Sequence, residues 1–102
     1  MLDNQRQIML IAQEECAEVT QAISKVFRFG MDAVHNERTN RERLTEETGD
    51  LLCMIELMIE SGLIDRNEML NASGAKRQKL LKWSTIFAKE RADRKSTRLN
   101  SS

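Results

Sequence analysis

Early in the chain, apolar residues recur at three- and four-residue intervals: Ile8, Ile11, Ala12, Val19, Ala22, Ile23 and Val26. Such spacing keeps side chains on one face of a helix, so it predicts a first helix from about Asn4 to about Phe29, ended by Gly30. The next segment, to about Asn40, holds no sustained period and reads as a loop or short irregular turn long enough to close over something. Thr39 followed by Glu42 has the arrangement of a capping box, which starts a second helix whose apolar face is Leu44, Leu51, Met54, Ile55 and Met58. It runs to about Ser61 and stops at Gly62. Asp65 with Glu68 opens a third helix in the same way, continuing through Trp83 toward Arg91, with Gly74 as a candidate break. From Lys95 to Ser102 the chain is polar and aperiodic, and this end reads as disordered.

The chain is therefore expected to be all-α, with a helical domain over residues 1–91 and a basic, polar tail over 92–102. Composition agrees: Pro is absent, Gly occurs four times in 102 residues, and helix-forming residue types dominate. The longest apolar run, Leu51 to Ile59 interrupted by Glu56, is far short of the roughly 20 residues a membrane span needs. Cys16 and Cys53 share no redox or zinc spacing, and the N-terminus carries no leader pattern, so a cytoplasmic protein with two free thiols is expected.

Net charge is zero, but residues 1–75 carry fourteen acids against seven bases, whereas residues 76–102 carry nine bases against two acids. The placement of the acids says more than their number. At roughly 100° per residue, Glu15 falls near the centre of the first helix's apolar stripe, Glu18 at its edge and Glu14 beside Glu18. On the second helix Glu47 falls inside the stripe and Asp50 on its flank. Two acids three residues apart reach one spot on a helix, and burying an uncompensated carboxylate costs several kcal/mol. Neither stripe holds a base at that level. Oxygen donors without His or Cys suit magnesium, with manganese as the alternative.

Glu14-Glu15-Cys16-Ala17-Glu18, followed after twenty-eight residues by Glu47-Thr48-Gly49-Asp50, resembles the paired E-E-x-x-E and E-x-x-D motifs of the MazG-like all-α nucleoside triphosphate pyrophosphohydrolases. The segments from Ser24 to Gly30, Gly49 to Leu52 and Ala75 to Lys79 are similar to the neighbouring segments of small family members. The resemblance runs from about Ile8 to about Trp83. Small members tend to end there, and Ser84 to Ser102, a lineage-specific tail or a cloning or read-through remnant, is assigned no function. The resemblance implies an antiparallel helical bundle completed by oligomerisation, as a homodimer or higher homo-oligomer, with a metal site of Glu15, Glu18, Glu47 and Asp50. It also implies hydrolysis of an NTP or dNTP to the monophosphate and pyrophosphate.

For that reaction Glu14 or Glu15 is the expected base for the attacking water. Lys25 with Arg28, and Lys76 with Lys79, each three apart, are the expected phosphate-binding bases, with Arg77 and Lys82 weaker candidates. Gly49 allows close approach beside the metal or serves helix packing, Glu46 is a solvated neighbour, His35 is a surface residue and Trp83 a packing residue. The alternative is a non-catalytic homo-oligomeric helical module whose acids pair with a partner's bases. A di-iron bundle lacks its Glu-x-x-His motifs, and nucleic-acid binding lacks aromatics beside the basic segment.

Overall fold

The computed structural model describes residues 1–88, in the order α1 (Asp3–Phe29), β1 (Val34–His35), β2 (Arg38–Thr39), α2 (Asn40–Glu60) and α3 (Arg66–Trp83). The architecture is all-α with one minute sheet. Two compact units meet between Ile64 and Asp65.

In the first unit α1 and α2 pack together. Ala12 and Ala22 on α1 and Met54 on α2 are the buried apolar residues among those described, flanked by half-buried Ile8, Val19, Val26, Leu44, Leu51, Ile55 and Met58. Ile11 and Ile23, expected in the stripe, lie on its flanks and are exposed, because two helices meet along a narrower strip than an apolar face can cover. Polar clamps close both ends of the pair. At one end the Gln5 amide donates to the Ser61 carbonyl at 2.7 Å. At the other the Asn40 amide donates to the Gly30 carbonyl at 2.9 Å. Gly30 takes the positive φ that turns the chain out of α1.

Where an irregular loop was expected, residues 34–39 form an antiparallel hairpin pairing Val34 with Thr39 and His35 with Arg38. Two-residue strands are too short to leave a periodic trace. The turn residues Asn36 and Glu37 have φ of 52° and 65°, the left-handed pair of a tight hairpin turn. Arg38 pairs with Glu46, and an Arg43 guanidinium nitrogen donates to the His35 carbonyl at 2.9 Å, so the hairpin is bound to α2. Glu46 is thus a tether of the hairpin as well as a neighbour of Glu47. The capping box at the start of α2 is present: Thr39 Oγ1 accepts from the Glu42 backbone N–H and the Glu42 carboxylate accepts from the Thr39 N–H.

In the second unit, Asp65 caps α3 through its carboxylate and the Glu68 N–H. Gly74 does not break the helix. The helix stops at Trp83 rather than near Arg91, because Ser84 is extended and its hydroxyl accepts from the Ile86 N–H, a local bond that competes with helix continuation. Trp83 does not pack: its side chain is exposed, with the Lys82 ammonium 5.0 Å from the ring centre. The tail expected over 92–102 lies outside the described residues.

The hairpin turn supplies a direct test. A side chain in the left-handed region costs roughly 1 kcal/mol that glycine avoids, so Glu37→Gly should raise the melting temperature by a few degrees. An unchanged or lower melting temperature would show that the turn carries no such strain.

Candidate metal centre and anion cleft

About one turn of α1 and one turn of α2 bring the two acidic motifs face to face. Glu15, Glu47 and Asp50 each offer a carboxylate oxygen within 4.8 Å of the others, with Glu15 and Glu47 half-buried and Asp50 exposed. Glu18 is exposed and outside this trio. It is nevertheless close enough for its charge to be the largest electrostatic influence on Glu47. Glu14 is exposed and acts on Glu15 more weakly than Asp50 or Glu18 do.

Partial burial, then the charges of Asp50, Glu18 and Glu14, push the Glu15 pKa above the ordinary value of 4.5. Glu47 is raised in the same direction by partial burial and by Glu18, Asp50, Glu15 and Glu46. The physical content is that withdrawal from water and like charge both disfavour the ionised forms. No base is among the influences on Glu15 or Glu47, and the ion pairs of Arg38 with Glu46 and of Arg41 with Asp32 involve no member of the trio. Three convergent, uncompensated oxygens fit a hard divalent cation, which would relieve the repulsion that raises both pKa values.

Gly49 lies within this motif, and a Cβ built there would meet nothing within 4 Å. Packing inside the chain therefore does not explain it. The position is open to whatever approaches from outside.

Beside the acids, toward the hairpin, a cleft of about 300 Å³ is lined by Lys25, Phe29, Ala33, Val34, His35, Asn40 and Arg43. Arg43 was not singled out from the sequence. It sits four residues before Glu47, about 6 Å along α2, and its Nε is the one buried side-chain polar atom without a hydrogen-bond partner among the described residues. Its sequence signal was a base at helical spacing from Glu47, masked by the abundance of charged residues. Lys25 shares the cleft. Arg28 does not line it, and its guanidinium lies 5.3 Å from the centre of the Phe29 ring. Lys76 and Lys79 are exposed on α3, in the second unit. His35 is exposed, as expected, while lining the cleft mouth.

A family model for the MazG nucleotide pyrophosphohydrolase domain matches residues 3–82. The chain belongs to the MazG family. No curated protein and no solved structure matches it. The MazG match covers both acidic motifs, the cleft and almost all of α3, and it makes nucleotide pyrophosphohydrolase chemistry the activity this domain implies. No helix of the described residues is long and apolar enough to cross a membrane.

The raised pKa values fix the sign of a pH effect. A carboxyl that binds its proton more tightly when folded than when unfolded stabilises the fold as pH falls through its raised value toward 4.5. Metal-free protein should therefore melt higher as pH is lowered from neutral toward the ordinary carboxyl value of 4.5. Glu42, whose pKa is lowered by its hydrogen bonds from Thr39, gives stability that is lost only as pH falls further. Melting curves in chelator that show no rise in the upper window for wild type, or the same rise in Glu47→Gln, would contradict this account of the trio.

Proposed function

We propose that this MazG domain is a magnesium-dependent nucleoside triphosphate pyrophosphohydrolase that converts an NTP or dNTP and water to the monophosphate and pyrophosphate. The supporting observation is the carboxylate trio, uncompensated by any base, at the α1–α2 interface beside a cleft that holds a buried, unpartnered arginine nitrogen. Glu15, Glu18, Glu47 and Asp50 would hold the cation. When bound, magnesium supplies Lewis-acid stabilisation of charge on phosphoryl oxygen and lowers the pKa of water, with manganese as a substitute.

The chain's own groups do the rest. Glu14 or Glu15 accepts the proton of a water whose oxygen attacks the α-phosphorus, and the bond from that phosphorus to the bridging oxygen of the β-phosphate breaks. Glu15 suits the role because partial burial and its neighbours raise its basicity. Lys25 and Arg43 receive the departing pyrophosphate in the cleft, where charge-assisted bonds to phosphate oxygens are strong. Arg28, Lys76 and Lys79 remain proposed phosphate contacts on the strength of the family resemblance.

The active form we propose is at least a homodimer in a cytoplasmic setting. Buried apolar residues number three among the described residues, while Phe27 is 85% and Leu52 56% exposed, surface that a second protomer would cover. Sedimentation at micromolar concentration that shows only an 11.8 kDa species would reject the dimer.

Asp50→Asn tests the metal site. The change keeps the shape and removes one charge and much ligand strength. Pyrophosphate release from nucleotides should collapse, by about a hundredfold or more. The melting temperature without metal should hold or rise, and the stabilisation by millimolar magnesium seen in wild type should shrink. A variant that melts lower with and without magnesium while still hydrolysing nucleotides at the wild-type rate would defeat the assignment. Detection of orthophosphate instead of pyrophosphate would change the reaction type.

A further inference from the structure

We propose that Asn40 is the positioning residue of the cleft, holding Lys25 and Arg43 at the separation in which one phosphate-bearing anion meets both. This rests on the reading of the cleft given above as the pyrophosphate site.

Asn40 is 4% exposed, the most deeply buried polar residue of the described chain. Its side-chain nitrogen donates to the Gly30 carbonyl at 2.9 Å and, at 3.4 Å, to the carbonyl of Lys25 itself. Its backbone N–H donates to Ala33 at 3.1 Å, and that of Arg41 to Met31 at 2.9 Å. One residue thus references the last turn of α1, the loop leaving it and the first turn of α2 to one another. Both bases hang from this point. Lys25 is bonded to the amide through its own carbonyl, and Arg43 follows Asn40 by three residues on the same helical face.

Freedom in the separation of two bases is lost when an anion bridges them, and that loss subtracts from affinity unless the fold has already removed it. The carboxylates are remote from this joint: Glu47 lies seven residues beyond Asn40, about 10 Å along α2, and is held by the apolar packing around Leu51 and Met54. Loosening the joint should therefore disturb the cleft and leave the metal trio in place. A residue with a purely structural role would lower stability without separating the two.

Asn40→Leu keeps the shape without the donor and adds no charge. Binding of inorganic pyrophosphate to the magnesium-saturated protein would be measured by calorimetry well below the melting temperature. Binding of manganese alone would be measured in parallel. We expect Asn40→Leu to weaken pyrophosphate binding roughly tenfold or more with manganese affinity unchanged, Asn40→Gln to recover part of the loss, and Arg43→Ala to cost less affinity in the Asn40→Leu background than in wild type. If Asn40→Leu fails to fold, Asn40→Ala is read in the same way. Wild-type pyrophosphate affinity in a folded variant, or equal losses for pyrophosphate and manganese, would overturn the proposal. If Lys25→Ala and Arg43→Ala both leave wild-type pyrophosphate affinity intact, the cleft is not an anion site and the underlying reading falls with the proposal. That failure is distinct, because in the first two outcomes Arg43→Ala still weakens binding.

Discussion

Carboxylates set into the face along which two helices pack are the constraint on which the first unit is built. Apolar burial draws α1 and α2 together, yet at the level of Glu15, Glu47 and Asp50 the same approach brings like charges within 4.8 Å and withdraws two of them from water. The pairing has to be secured elsewhere. Above and below that level the contacts are small or flexible apolar side chains, Ala12, Ala22 and Met54, which allow close approach. At the two ends, amides rather than apolar groups make the closure, Gln5 to Ser61 and Asn40 to Gly30. Hydrogen bonds between part-buried amides and carbonyls contribute modestly but fix direction and register, which apolar contacts leave soft. A pair of helices held at both ends can keep a repulsive centre, and such a centre is a candidate site for a cation.

Charge is sorted along the pair as a consequence of its antiparallel course. Proceeding toward the hairpin, α1 runs from Glu15 and Glu18 to Lys25, while α2 is traversed backwards from Asp50 and Glu47 to Arg43. Acids therefore face acids and bases face bases, with about one turn between Glu47 and Arg43 and about two between Glu18 and Lys25. Parallel helices would have set Arg43 beside Glu15 instead and neutralised both. An extended polyanion bound to a cation at the acidic level has its far end directed to the basic level, an arrangement suited to phosphoric anhydrides and not to a lone carboxylate or a neutral ligand. The hairpin matters because it shapes the wall of that second level, and Arg38 with Glu46 keeps it against α2.

Helix number, type and starts were legible in the sequence because capping chemistry and apolar period are local: Thr39 with Glu42, and Asp65 with Glu68, occupy the cap positions their spacing predicts. The positions of Glu15 and Glu47 on packing faces were legible for the same reason, since a helical wheel needs no knowledge of the partner. The fate of Ile11 and Ile23 was not, because the width of the buried strip depends on the second helix. Nor was the hairpin, whose strands of two residues have no period and whose turn lacks the glycine usual in such a turn. Arg43 and Asn40 stayed hidden for a further reason. Their roles are defined by what faces them from residues 25–35, and nothing in the order of charged residues along α2 distinguishes a base lining a cleft from one in water. The end of α3 at Trp83 was missed because Ser84 stops the helix through its own side chain, which an apolar period cannot register.

Gly49 shows how far the single chain accounts for itself. Glycine within a helix costs about 1 kcal/mol against alanine, and neither a positive φ nor a neighbour within 4 Å requires it here. Its neighbour Asp50 is the exposed member of the trio, and Leu52, two residues further, is an exposed apolar side chain on the same helix. Leu52 is three residues from Gly49 and shares its face of α2, whereas Asp50 lies about a quarter turn away. A Cβ at Gly49 would project into open space beside the exposed Asp50. The open space there leaves room for a group that meets the acids from outside the α1–α2 pair. An alanine at this position strengthens the helix by its propensity with no clash inside the chain, so any loss of activity in such a variant would report what meets α2 from outside.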